Sequence, residues 1–406
     1  MVSLKAVHSE DHVRNILRHK VVYPQRSRDL SGMEVAVSDH KELVADPSML
    51  ALARDSRGWT QSELAEQMSR VDGSRVTQGY VSRAEAGRIP VRAERVHLFA
   101  AALRFTPEML CQGADTTGVG IGLIHHRKRA SLGAPALRRI HATLALTRYQ
   151  VEAVTQAAAL RHVILFRHIE VNDFDTPADA AETVREEWNV PAGPVDNLVA
   201  LLEDAGAQVV VRDLGTTDLD AVSQWPPGRA PLILLNSAAP GDRSRFSLAH
   251  ELGHLIMHRE PGEGRVQEAQ ADRFAAEFLM PHEVILSELK PGIDVARLMD
   301  LKARWGVSMA ALIRRAVDLG VISEWQYRTL MVELSALGYR TNEPTIIRRE
   351  TPRHIAQAVT RLEEQLHLSP TETAHLAGLG REEFHEIYVC ASSASGHKDV
   401  PDPSAR

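Results

Sequence analysis

Hydrophobic and polar positions alternate along the chain in blocks of different texture. From about Asp46 to Gly113, short amphipathic segments are separated by Gly, Thr and Pro signals, which predicts a small all-helical domain over 46–113. After Pro135, the residues Leu137, Ile140, Leu144, Val151 and Val154 recur at helical spacing and predict a long helix that packs or dimerises. A second globular unit, 189–290, opens near Asn189. There VDNLVALLEDAG reads as a helix ending at Gly206, AQVVVRDL as a strand and APLILLN as a second, buried strand. From Asp242 to Pro281 the pattern gives two helices broken by EPGEG, with Pro281 stopping the second. Residues 291–390 read as mostly helical, and Ser369, Pro370 and Glu372 form a capping-box start within them. The flanks are weaker. Residues 1–45 are expected to be a poorly ordered arm with at most one helix, near His12 to Arg18, and 391–406 a disordered tail. The resulting class is α+β, mostly helical, with a small sheet in its middle domain and no internal repeat.

Composition adds limits. The 406 residues are 44% hydrophobic and 25% charged, enough for two to four domains with their own cores. The net charge of -6 conceals an asymmetry. Residues 1–150 hold 22 basic against 15 acidic side chains, whereas 151–406 hold 25 against 38. The basic half is the one expected to meet a polyanion. Much of that charge lies in the linker of 114–188, in Arg127, Lys128 and Arg129 and in Arg138, Arg139 and Arg148, while 46–113 is near neutral with 9 basic and 8 acidic residues. The two cysteines, Cys111 and Cys390, belong to no disulfide framework or CxxC site, and neither an apolar leader nor a membrane-length run is present. A cytoplasmic location is therefore expected.

Histidine, at 19 residues, is the one surplus, and HELGH (250–254) arranges two of them. His250 and His254 are one helical turn apart, so both imidazoles can converge on one metal ion. Glu251 stands beside them as a candidate base for a metal-activated water. Phe246, Leu248, Leu252, Leu255 and Ile256 would bury the other face of this helix. Catalytic zinc takes about three protein ligands, and the next helix offers Glu268 and Asp272 at i, i+4 in EAQADRFAAEFLMP. That pair resembles the gluzincin pattern, in which the Glu binds metal and the Asp orients a ligand histidine. Ala271, Ala275 and Ala276 are small enough for close helix approach. His258 is a rival third ligand, but on a continuous helix it is about 12 Å of rise from His250, too far to share one ion.

RFSLAHELGHLIMH followed by EAQADRFAAEFLMP resembles the ImmA/IrrE metallopeptidases over roughly residues 190–285. The resemblance implies zinc held by His250, His254 and Glu268, Glu251 as general base and Asp272 behind a ligand. It also implies an endopeptidase that cleaves repressor proteins in a stress or mobile-element response; the same chain's DNA-reading front adds itself, between 113 and 135, and an antitoxin-like partner as candidate substrates. APLILLN would be the edge along which a peptide substrate adds as a strand. Arg245 and His282 are near enough in sequence to be candidate oxyanion stabilisers. Residues 291 onward, through SMAALIRRAVDLGVISEWQYRTL, resemble the helical extension of long proteins of this kind.

Residues 59–89 contain two short helices, capped by Thr60 with Glu63 and by Thr77, the second ending at Gly87. Flanked by MLALARD and ERVHLFAAAL, they form a helix-turn-helix pattern and resemble the XRE or Cro/C1-type repressor domain through TQxELA and VTQGYVSRAEAG. The second helix is expected in the major groove of a double-stranded operator. Gln78 suits adenine, Arg83 guanine or phosphate, Gln61 and Thr77 phosphates, and Tyr80 and Ser82 share the reading helix. The connection is about six residues longer than usual, with Asp72 and Gly73 inside it. ETAHLAGLGREEFHEIY shows another helix, Gly turn and helix, too common a pattern to assign. The whole chain reads as a DNA-binding regulator, a homodimer on two-fold DNA, with a zinc endopeptidase domain; the alternative is a repressor whose peptidase-like domain only senses.

Overall fold

A computed structural model describes residues 43–113, 132–160, 164–259, 264–340 and 342–390. The expectations for the arm (apart from its last three residues), most of the basic linker and the tail lie outside these residues. The chain forms two compact units. The described part of the first comprises 43–113, Ala145–Leu160 and Gln357–His385, and that of the second is mainly 164–356.

The first unit starts with five helices: α1 (Pro47–Ser56), α2 (Gln61–Asp72), α3 (Gln78–Glu85), α4 (Glu94–Leu103) and α5 (Pro107–Leu110). Their starts follow the sequence signals. Asp46 caps α1 ahead of Pro47 by accepting from the backbone N–H groups of Ser48 and Met49 at 2.9 and 3.0 Å. Thr60 and Glu63 close a capping box on α2, and Thr77 and Thr106 cap α3 and α5. Met49, Leu50, Leu64, Met68, Val81, Phe99, Leu103 and Leu110 fill the core.

Two segments far from this stretch join the same unit. The predicted long helix is α6 (Ala134–Ala157); Ile140, Leu144, Val151 and Val154 are all buried, and its part from Ala145 belongs to the first unit. Near the C-terminus, Thr106 N–H donates to the Gly378 carbonyl at 2.9 Å, and Phe105 and Leu379 form an antiparallel bridge. Gly378 has φ 70° and lies so close to Met109 that a Cβ there would collide with it, which only glycine accommodates. Residues 291–390, read from sequence as one helical stretch, therefore divide between the two units.

The second unit contains α7 (Pro177–Glu187), α8 (Leu198–Asp204), three strands and the helices α9 (Gly241–Met257), α10 (Arg265–Leu279), α11 (His282–Ile285), α12 (Val295–Trp305), α13 (Met309–Asp318) and α14 (Glu324–Ala336). The strands are β1 (Gln208–Arg212), β2 (Ala221–Gln224) and β3 (Leu232–Asn236), in the order β1-β3-β2. β1 pairs parallel to β3, with Val210 opposite Leu234, and β2 pairs antiparallel, with Ser223 opposite Ile233. One expectation is corrected here. The strand in APLILLN is central rather than an edge, because β3 pairs with β1 on one side and β2 on the other, and its five residues are all buried. One edge is instead β2, whose four residues are too few to stand out in the sequence pattern. The mostly helical α+β class is the observed one. A single apolar core runs from Phe166 to Leu334 and crosses positions 189 and 290, because α7 packs on it from one side and α12 to α14 complete it.

Candidate functional site

α9 carries His250, Glu251 and His254, and α10 carries Glu268 and Asp272. The two helices can approach closely because residue 253 has no side chain. A Cβ at Gly253 would stand 3.1 Å from the Phe274 side chain. Ala271 and Ala275 are also fully buried on α10. Most of EPGEG lies outside the described residues, but α9 ends at Met257 and α10 resumes at Arg265.

The close crossing brings three donors together. His250 Nε2 and His254 Nε2 are 3.0 Å apart, and Glu268 places Oε2 3.7 Å from the first and Oε1 3.5 Å from the second. A tetrahedral zinc with bonds of about 2.1 Å requires neighbouring ligands about 3.4 Å apart. The three groups fit that requirement. Two imidazole nitrogens facing each other beside a carboxylate, with His254 and Glu268 buried, also form a donor set suited to a divalent cation. Burial alone would discourage charge on His250, but Asp272, Glu251 and Glu268 outweigh it and raise its pKa above the ordinary value. The local field favours a cation.

Behind the donors stand further partners. Asp272 Oδ1 lies 2.9 Å from His250 Nδ1. His258 lies outside the donor group. Its Nδ1 is 2.9 Å from His254 Nδ1, and its Nε2 is 3.0 Å from Gln270 Oε1. Burial pushes the His258 pKa down, and the field of His250 adds to that, against the opposing bond with Gln270. Sequence reasoning placed His258 as a weaker rival ligand and passed over Gln270; the i+4 step from His254 was the available signal.

Glu251 is also buried, and its Oε2 accepts a 2.6 Å hydrogen bond from Ser223 Oγ on the edge strand β2. Ser223 was not anticipated, because β2 itself was not. A cleft of about 890 Å³ opens onto His250, Glu268 and Asp272, with Phe246, Ala311 and Tyr327 among its walls. Helices α13 and α14 thus line the site as well as extend the core. Most of the cleft's charges are matched: Arg243 pairs with Asp220 at 2.7 Å, Arg314 with Asp318 at 2.8 Å and Arg315 with Glu277.

The two suggested oxyanion residues are committed elsewhere. Arg245 is buried and binds the Glu350 carboxylate and the Val195 carbonyl. His282 bonds Glu277 at 3.1 Å and Glu182 at 3.2 Å, and its pKa is raised first by the Glu277 hydrogen bond. Glu277 is nine residues from Glu268 along α10, about 13 Å of rise.

In the first unit, Thr77, Gln78 and Arg83 are exposed, whereas Gln61, Tyr80 and Ser82 are half-buried. Gln78 Nε2 donates to Gln61 Oε1 at 2.8 Å, and Gln61 Nε2 donates to Glu85 Oε2 at 2.9 Å. Glu85 is gripped in turn by Arg54 at 2.6 and 2.9 Å. Gln61 thus braces Gln78 inside the domain. Tyr80 packs on Phe99 with ring centroids 6.1 Å apart, under the Arg95 guanidinium. The long connection is mostly helix: Ser69–Asp72 continue α2 until Gly73 ends it in the left-handed conformation. Ser69 Oγ stitches the turn, donating to the Ala65 carbonyl at 2.7 Å and accepting from Val76 N–H at 2.9 Å. A shallow groove at this turn is lined by Arg70, Arg75, Thr77 and Gln78.

Comparison with known families gives two matching domains. Residues 202–317 match the IrrE N-terminal-like domain of the M78 peptidases, and residues 49–110 match a helix-turn-helix domain. A search of curated proteins gave no match. No helix among the described residues is long and apolar enough to cross a membrane. The chain joins a helix-turn-helix domain to an IrrE N-terminal-like domain of the ImmA/IrrE kind.

Proposed function

We propose that the chain is a DNA-binding transcriptional regulator whose second unit is a zinc-dependent endopeptidase. The observation that carries this reading is the set of His250, His254 and Glu268 at ligand spacing, with Glu251 bonded by Ser223. Zinc on those three residues supplies a Lewis acid that acidifies water and polarises a peptide carbonyl. Glu251 takes the proton of the attacking water on the oxygen not engaged by Ser223 and returns it to the leaving amine. Asp272 holds His250 by Nδ1 and so keeps its Nε2 free for metal. The edge strand β2 offers its outer backbone groups to an extended peptide, and the cleft beyond His250 takes the side chains.

The substrate is a repressor-type or antitoxin-like protein, or this chain between 113 and 135, in a stress or mobile-element response. The resemblance to ImmA/IrrE proteins and the fusion to a helix-turn-helix support that choice. The first unit binds a double-stranded operator as a homodimer, with Gln78 and Arg83 at base edges, Thr77, Tyr80 and Ser82 along the same helix, and Gln61 holding Gln78.

Digestion of a mixed peptide pool by the purified full chain, with products read by mass spectrometry, tests the peptidase. Glu251→Gln is expected to keep zinc and lose cleavage by about 10²- to 10⁴-fold. A wild-type chain that carries zinc but cuts nothing leaves the second unit a sensor.

A further inference from the structure

The two imidazoles of the proposed zinc pair are backed in different ways. His250 Nδ1 faces Asp272, whose carboxylate only accepts, so Nδ1 carries the hydrogen and Nε2 is bare. His254 Nδ1 faces another imidazole nitrogen, His258 Nδ1, at 2.9 Å, and either ring could donate. The choice is made one bond further out. His258 Nε2 lies 3.0 Å from Gln270 Oε1, a carbonyl oxygen that only accepts. His258 therefore carries its hydrogen on Nε2, and its bare Nδ1 accepts from His254 Nδ1–H. The lone pair of His254 Nε2 is then left facing His250 and Glu268.

We infer that His258 and Gln270 are positioning residues, a relay that sets the tautomer of His254 and with it the readiness of that ring to bind the metal. The inference rests on the zinc reading above. Helix geometry supports it from both sides. α9 ends at Met257, and His258 takes an extended backbone at φ -115°, one turn beyond His254. Gln270 follows Glu268 by two residues on α10, so each helix supplies both ligand and relay. The relay is also reversible in principle. With the Gln270 amide turned round, its N–H would donate to His258, the His258 hydrogen would move to Nδ1, and His254 Nε2 would hold a hydrogen where the metal needs a lone pair.

Competition for zinc between the full-length chain and a chromophoric chelator tests this with metal alone as the probe. Glu268→Ala is expected to lose most of the affinity. His258→Leu and Gln270→Lys, a donor-only side chain, are expected to weaken zinc binding about 10- to 100-fold. Gln270→Glu, acceptor-only, is expected to stay within about threefold of the parent or bind tighter. A packing role would weaken both Gln270 variants alike and overturns the relay, as does unchanged affinity in His258→Leu and Gln270→Lys while Glu268→Ala loses zinc. Unchanged affinity in Glu268→Ala removes the zinc reading itself. Imidazole nitrogen shifts of the zinc-free parent decide the matter without any variant. The relay requires a protonated His254 Nδ1 and a bare His258 Nδ1, and the reverse assignment contradicts it.

Discussion

The molecule uses one motif, two helices joined by a short connection, for opposite purposes. Between α2 and α3 the crossing is filled by Leu64, Ala65, Met68, Val81 and Ala84, and the polar side chains face outward or lie across the surface. Between α9 and α10 the crossing is narrowed by Gly253 against Phe274, and polar groups point into it. The first pair presents side chains to a partner from outside. The second builds an interior whose polar groups are satisfied by bonded neighbours and, on the proposed reading, by a cation. Outward-facing groups constrain their neighbours little, so many sequences serve. Inward-facing donors fix spacing, glycine and alanine positions and outer partners together.

Substitutions can set the two pairs against each other. Arg54→Ala should act most strongly on the first, because it strips Glu85, with a side chain 5% exposed, of its ion pair and leaves it the neutral Gln61 amide as donor. A cost of about 3 kcal/mol is expected in denaturant unfolding of that unit, with zinc affinity unchanged. Gly253→Val should act only on the second. Its side chain meets Phe274, an overpacking of about 1–3 kcal/mol that forces α10 and Glu268 away from the histidines and weakens zinc binding. Retained zinc affinity in this variant would break the claim that the close crossing builds the site. Gln78→Ala should lower specific operator affinity by about 1–3 kcal/mol in titrations at fixed salt while leaving the melting temperature nearly unchanged, since the side chain is exposed. Thr60→Ala should cost about 1 kcal/mol of stability through the lost cap and leave both binding activities in place.

The same contrast explains what the sequence disclosed. The HExxH histidines, Glu268 and Asp272 were readable because metal geometry admits few spacings, and the structure brings all four together. The helix starts were readable from Thr60, Thr77 and Ser369, whose side chains accept backbone bonds within three residues. What depends on distant parts of the chain was hidden. Ser223 reaches Glu251 only because a four-residue strand pairs with β3. The return of 357–385 to the first unit rests on Gly378 beside Met109 and on Arg57 held to Glu383, contacts between residues hundreds of positions apart. APLILLN was recognisable as a buried strand, but burial alone does not distinguish a central strand from an edge. Within the long connection, Ser69–Asp72 continue α2 as helix up to the left-handed Gly73.

The central claim is that His250, His254 and Glu268 hold one catalytic zinc. Elemental analysis of the purified full-length chain, beside Glu268→Ala and Glu251→Gln, tests it most directly. About one zinc per chain is expected in the parent and in Glu251→Gln, and little in Glu268→Ala. A parent chain with no stoichiometric metal after zinc loading, or equal zinc in Glu268→Ala, would contradict it.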